Sequence, residues 1–508
     1  MRPVPGSGPP AGRVVPGPRE SAALVFGSSA AVLVVELVAL RLLAPYLGLT
    51  LETNTLVIGL ALAAIALGSW AGGRAADVVD PRRTLAPLLG ASGVVVAATP
   101  FLVRGAAETA GGALLLPAAA LTIGVPGALL SAVTPMVTKL ALTSLAQTGS
   151  VVGRLSGIGT AGSIAGTVLT GFVLVSAVPV SGILVGLGAL LALTAVVVGV
   201  RVGLRAGGGR AAAPSLALVL VGTGIGGLAA AVAPGGCDVE TRYHCARVET
   251  DPERGSGRVL VLDGLRHSYV DLADATHLEF EYVQAIASVV DAAFPAGEPL
   301  AAYHLGGGGL TLPRHLAATR PGTTSLVSEI DPGVLAVDRD LLGLETGPAL
   351  EVRVEDGRLG LGALAEGSRD LVVGDAFGGV SVPWHLTTRE AAAQVRRALR
   401  PGGVYVANLI DHGPLDFARA EVATLREVFD HVALLARPGA FAGTGGGNLV
   451  VVAAGRPLDL AALDRAVGER GLGWVARADA DLDGWVGDAR VLTDDHAPVD
   501  QLLTPSAS

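Results

Sequence analysis

The chain has 508 residues, 51% hydrophobic and 16% charged, with a formal net charge of −9. Those averages join two unlike halves: residues 1–233 hold 6 acidic and 13 basic residues, which leaves 39 acidic and 23 basic to the remainder. So few charges argue against an ordinary soluble domain in the first half. The acidity of the second argues against nucleic acid as a partner, since it offers no basic stripe to phosphates.

In chain order, residues 1–20 are rich in Pro and Gly and read as a disordered N-terminus. Residues 21–233 read as a multi-pass α-helical membrane domain, because crossing a bilayer takes about 20 apolar residues per helix. Seven spans are expected, near Ala22–Leu43, Leu51–Ala71, Leu85–Val103, Ala113–Val133, Gly153–Val178, Val180–Val200 and Ser215–Ala233. The fifth is rich in Gly, Ser and Thr, small residues that suit close helix packing in lipid. The first is too long, and lacks the small-residue cleavage site, for a removable signal peptide. Basic residues fall in alternate loops: Arg2, Arg13 and Arg19; Arg74, Arg82 and Arg83; Lys139 and Arg154; Arg201, Arg205 and Arg210. The positive-inside rule then makes the N-terminus cytoplasmic, and seven spans put the acidic half outside.

Residues 234–299 read as a small β unit and a connecting helix. Cys237 and Cys245, the only cysteines, lie just past the last expected span. A disulfide there would fit an oxidising exterior, and two free thiols are the alternative. C-x7-C without further ligands is a poor metal site, so no metal is expected. Tyr243–Glu249, Arg258–Leu262 and His267–Val270 are expected strands, and Thr276–Ala293 has helical periodicity.

From residue 300 to 508 strands and helices alternate. Strands are expected at Leu300–Leu305, Thr324–Ile330, Leu350–Val354, Asp370–Val373 and Val404–Leu409, with helices at Leu310–Thr319, Pro332–Leu342 and Thr387–Leu399. Such alternation means a parallel, doubly wound Rossmann-like α/β sheet, whose ligands bind beyond the carboxyl ends of the strands. Gly306, Glu329, Asp356 and Asp375 all lie at such ends. A glycine run opening a helix, with an acid closing the next strand, suits a nucleoside: the backbone approaches the ligand and the carboxylate takes the ribose hydroxyls. Asp356-Gly357 would offer an acceptor to an adenine amino group.

Taken in order, these residues resemble the spermidine synthase family, aminopropyltransferases built on a methyltransferase-type Rossmann domain with a small N-terminal β domain. The likeness runs from about Glu240 to Leu503. It takes in Leu262-Asp263-Gly264, Gly306–Gly308, Glu329-Ile330-Asp331, Asp356-Gly357, Asp375, Leu399–Gly403, and Thr493-Asp494-Asp495 with Pro498. With the N-terminal spans, the whole chain looks like bacterial membrane proteins that fuse transporter-like helices to a spermidine synthase.

The resemblance implies a donor site for decarboxylated S-adenosylmethionine, S-adenosylmethionine itself being the other candidate. Gly306 and Gly308 would lie in its loop, Glu329 on the ribose, and Asp356 and Gly357 at the adenine. Asp375 would be the general base for an attacking amine, with putrescine the implied acceptor. The implied partners are a small-molecule amine and the lipid bilayer, with a homodimer left open.

The chain also departs from the family. Gly309 stands where the family's loop carries an aspartate for the aminopropyl ammonium, and Asp375-Ala376-Phe377-Gly378 lacks the second acid of Asp-x-x-Asp. His385 replaces a glutamate, His267 replaces a glutamine, and Phe280-Glu281-Tyr282 stands where the family has Tyr-x-Glu. These changes remove negative charge from where a diamine would lie, and burying a dication without carboxylates is costly. Two other readings therefore stay open. One is adenosyl-dependent transfer to another acceptor. The other is a transporter with a nucleoside- or polyamine-sensing domain, since Gly72-Gly73-Arg74, Asp77 and Arg82-Arg83 resemble a transporter loop.

Overall fold

The computed structural model describes residues 17–47, 51–108, 115–142, 144–205, 237–379 and 381–504. It divides into two compact units, one reaching Gly236 and the other beginning at Cys237.

The apolar runs of the first unit are helices: Pro18–Leu47, Leu51–Val78, Pro81–Glu108, Leu115–Ser131 followed by Val133–Ala141, Thr148–Leu169 and Val180–Arg205. Six helices among the described residues are long and apolar enough to cross a membrane. The seventh expected span, Ser215–Ala233, lies outside the described residues. Residues 18–20, assigned above to the disordered terminus, form the opening turn of the first helix. Pro18 occupies its first position, where no N–H is needed, and Glu20 Oε2 accepts from the Gly17 N–H at 3.1 Å.

Small residues set the helix spacing. A Cβ on Gly162 would sit 2.3 Å from the Phe26 carbonyl oxygen, and one on Gly68 would sit 2.1 Å from that of Ala128. Only glycine permits such backbone approach, the packing favoured where lipid removes the hydrophobic drive between helices. Large apolar side chains such as Leu67, Ile164 and Phe172 point outward. Asp77, from the transporter-like motif, lies in a helix and pairs with Lys139 at 2.6 Å. Arg201 pairs with Glu20 at 2.8 Å, joining the end of the sixth helix to the start of the first.

The second unit opens with a four-stranded antiparallel sheet, β1 (Val239–Glu240), β2 (Cys245–Thr250), β3 (Gly257–Leu262) and β4 (Leu265–Asp271). Asp263 and Gly264, with φ of 53° and 81°, make the two-residue turn between β3 and β4, a conformation that matches strand twist. Cys237 and Cys245 are joined by a disulfide. The following helix, Glu281–Ala293, is shorter than its periodicity predicts. Phe280 before it is extended, so 276–280 reach across as a strap.

The main sheet has eight strands: β5 (Ala301–Leu305), β6 (Thr324–Glu329), β7 (Leu350–Val354), β8 (Arg369–Gly374), β9 (Leu399–Asp411), β10 (His431–Ala436), β11 (Gly447–Ala454) and β12 (Val475–Ala478). Their order is β12-β10-β11-β9-β8-β5-β6-β7. The first five in sequence are parallel, as expected, but β11 runs against β9 and β10, and β12 against β10. The sheet is therefore mixed, a Rossmann-like methyltransferase-type arrangement. Only ten residues, including the one-turn helix Pro438–Phe441, join β10 to β11. A parallel crossover needs a dozen or more, so β11 returns as a hairpin.

Alternating side chains feed two cores. Tyr303, Leu305 and Val372 pack with Phe417 and Leu425 on one face, while Leu371, Val373 and Val406 pack with Ile286 and Val290 on the other. Strand order reverses between β5 and β8, the place where such sheets open a crevice at their carboxyl ends.

Candidate active site

The glycine loop leaves β5 at this crevice. Gly306 has φ 91°, and a Cβ there would lie 2.4 Å from the Asp375 carbonyl oxygen, so the turn requires glycine. Gly308, at φ 48°, packs against Ser268 and His267 of β4. The Gly307 and Gly308 N–H groups donate to Glu329 Oε2 at 2.8 and 3.4 Å, and the Asp331 N–H donates to Glu329 Oε1 at 2.8 Å. Glu329, at the end of β6, is thereby fixed against the loop.

Asp356, beyond β7, caps a short helix, Gly357–Ala363, that the sequence reading did not include. Its Oδ1 accepts from the N–H groups of Arg358 at 2.8 Å and Leu359 at 3.3 Å. Oδ2 lies 3.2 Å from His385 Nε2. His385 therefore stands beside Asp356 and lines the cavity of Gly306, Gly308 and Glu329. The 3-10 turn Trp384–Leu386 carries His385 toward Asp356. Arg358 reaches from the same helix to Asp494 at 3.0 Å and Thr388 Oγ1 at 3.1 Å, so Thr493-Asp494-Asp495 buttresses this wall.

Asp375, one residue past β8, is shared by that cavity and by a second, larger one of about 800 Å3. Asn408 Nδ2 donates to its Oδ1 at 3.0 Å and the Tyr282 hydroxyl donates to its Oδ2 at 3.2 Å. Asn448 Nδ2 in turn donates to Asn408 Oδ1 at 3.0 Å. Burial drives the Asp375 carboxyl up to about 6, against the two hydrogen bonds, which favour the anion. It is thus poised to exchange a proton near neutral pH. The same burial and the facing Asp375 charge push the Tyr282 hydroxyl well up, so it remains a donor.

Gly309 carries no acid, and the structure leaves no room for one: a Cβ there would meet Val270 Cγ2 at 2.9 Å. Its N–H donates to Ser268 Oγ at 3.0 Å.

Several lining residues were not picked out from sequence. His244 lines the first cavity and bonds Asp263 at 2.7 Å through Nδ1. Burial lowers its basicity, but the Asp263 bond and charge, with Asp331 and Glu329, raise it overall. His267 beside it is pushed down to about 4 by burial and by His244. Asn408 had one signal in the sequence, a lone amide inside the apolar strand Val404–Ile410. The other missed residues, Asn448, Arg437 and Trp474, come from beyond β10. Among the described residues no cluster of His, Cys, Asp or Glu has the arrangement of a metal site.

Comparison with known proteins places this half of the chain. No family model matches the sequence. A stretch of 142 residues, 28% of the chain, is 30% identical to a polyamine aminopropyltransferase of Chromobacterium violaceum and covers 53% of that protein. A stretch of 143 residues, 27% of the chain, is 32% identical to a polyamine aminopropyltransferase of Vibrio vulnificus and covers 44% of it. The chain thus spans about half the length of the curated relatives it matches. The crystal structure of a probable spermidine synthase from Corynebacterium glutamicum ATCC 13032 is 29% identical with a TM-score of 0.48, covering 51% of this chain and 96% of that one. Over its C-terminal part, the chain is a relative of the spermidine synthase family of polyamine aminopropyltransferases.

Proposed function

We propose that the second unit is an aminopropyltransferase, anchored to a membrane by the helices of the first, that uses decarboxylated S-adenosylmethionine as donor. In this reading Glu329 holds the ribose hydroxyls, Asp356 and Gly357 meet the adenine, and Gly306 and Gly308 let the backbone close on the nucleoside. The observation that carries it is the position of Asp375, common to the nucleoside-type cavity and to the larger cavity beside it.

The chemistry asks little beyond placement. The lone pair of a neutral amine attacks the aminopropyl carbon attached to the sulfonium. The C–S bond breaks, its electron pair stays on sulfur, and methylthioadenosine leaves. Asp375, held in place by Asn408 and Tyr282, takes the proton from the amine nitrogen. Positioning and a base of suitable strength supply the rate. Putrescine is the acceptor the family resemblance suggests first.

Calorimetry on the full chain with decarboxylated and intact S-adenosylmethionine, followed by release of methylthioadenosine with an amine, tests this. Binding of the decarboxylated donor and amine-dependent release are expected. If neither donor binds, or if Asp375→Asn turns over at the wild-type rate, the transferase reading is lost.

The membrane side follows from the number of crossings. The Glu20–Arg201 pair supports both ends of the six-helix set lying on one side, as an even count would require. A further crossing by Ser215–Ala233 would put the second unit outside, across the membrane from a cytoplasmic N-terminus. A reporter fused at the C-terminus reads the side directly: an extracytoplasmic signal supports seven spans, and a cytoplasmic one overturns them.

A further inference from the structure

The larger cavity has a charge pattern that suits a particular kind of acceptor. Glu281 lies on its wall, but Arg437 Nη2 contacts both carboxylate oxygens at 2.7 Å and Trp474 Nε1 donates to Oε2 at 3.2 Å. Its charge is already matched. Glu279, half out in solvent, lies 3.3 Å from His277 Nε2. Asn408 and Asn448 add neutral amides. Arg266 opens onto the same cavity, its guanidinium 5.4 Å over the Phe280 ring, and makes no ion pair among the described residues. Once Asp375 faces the reacting amine, the other acids lining the cavity are Glu281, matched by Arg437, and the half-exposed Glu279 beside His277, while the Arg266 guanidinium, over Phe280 and without an ion pair among the described residues, lies at the mouth. Burying an unmatched ammonium is costly, whereas an anion beside Arg266 gains a charge-assisted contact.

We propose that Arg437 and Arg266 set acceptor specificity, so that the preferred acceptor is an amine with one cationic centre and a carboxylate at its far end. This rests on the aminopropyl-transfer reading above and narrows it. The bond changes are those already given; only the far end of the acceptor differs. Arg437 acts through Glu281, whose charge it cancels, and Arg266 acts on the acceptor carboxylate.

Two amines of the same four-carbon length separate the possibilities: 4-aminobutyrate, which ends in a carboxylate, and putrescine, which ends in a second amine. With the full chain and decarboxylated S-adenosylmethionine, kcat/KM for 4-aminobutyrate should exceed that for putrescine by about tenfold or more. Arg266→Gln should move the ratio toward putrescine by about tenfold, through loss of 4-aminobutyrate. Arg437→Gln frees Glu281 and should move it the same way through gain of putrescine. A ratio measured on one preparation does not depend on the fraction folded. Preference of the wild-type protein for putrescine, or a ratio unmoved by both substitutions, overturns the acceptor assignment and leaves the transferase reading standing. Methylthioadenosine from neither amine removes both.

Discussion

In the proposed reading, the donor side of the cleft is made of backbone and strand ends, and the acceptor side of side chains from distant segments. On the donor side, Glu329 is fixed by N–H groups of the glycine loop and Asp356 by the start of its own helix. On the acceptor side, Tyr282, Asn408, Asn448 and Arg437 come from a helix, two strands and a loop spread over more than 150 residues. The first kind of wall cannot change without disturbing the sheet. The second can change one side chain at a time, so the larger cavity can be altered while the smaller keeps its walls.

Substitutions should break the two sides in different ways. The largest effect is expected for Asp375→Asn, which should lower turnover by about 10²–10⁴ while the donor still binds, checked by single-turnover release of methylthioadenosine. Turnover of the wild-type protein should rise as pH passes through about 6, where Asp375 ionises, and the variant should lose that limb. Next, Glu329→Gln removes charged hydrogen bonds from the donor wall. It should weaken donor binding by about 10- to 100-fold by calorimetry, with the acceptor ratio unchanged.

Gly306→Ala forces a Cβ onto the Asp375 carbonyl at positive φ. It should cost about 1–3 kcal/mol in denaturant unfolding and weaken donor binding with it. The smallest effect is on stability against pH. The folded carboxyl of Asp375 sits at about 6, above its ordinary 3.8, so its stabilising contribution is complete below the lower value and lost as pH rises through the upper. At pH 8, Asp375→Asn should therefore be more stable than wild type, with no gain at pH 4. Equal stability at both pH values would mean that Asp375 is better solvated than its position suggests.

The donor wall was the legible part because its residues follow apolar runs directly. Glu329, Asp356 and Asp375 each lie at or just past the end of a strand whose hydrophobicity marks it. The reversed strands were less legible, since β10 and β11 are apolar runs like those of the parallel part, and direction depends on the length of the connection between them. The helix Gly357–Ala363 contains three glycines among seven residues, which hides its periodicity, yet its Asp356 cap holds it. Glu281, Arg437 and Trp474 meet only through folding, and no local pattern announces a pair separated by 156 residues. His385 was visible as a residue type, but a single 3-10 turn decides which acid it faces.

The disulfide between Cys237 and Cys245 has one more consequence, for self-association. β1 is only two residues long and forms the outer edge of the small sheet, paired through Val239↔Ala246 and Glu240↔Cys245. So short a strand would fray on its own and leave the hydrogen-bonding groups of β2 open to another chain. The covalent link keeps β1 in register, and Asp238 beside it accepts from the Val248 N–H at 2.9 Å. Reduction of this one bond would turn a closed sheet edge into an adhesive one.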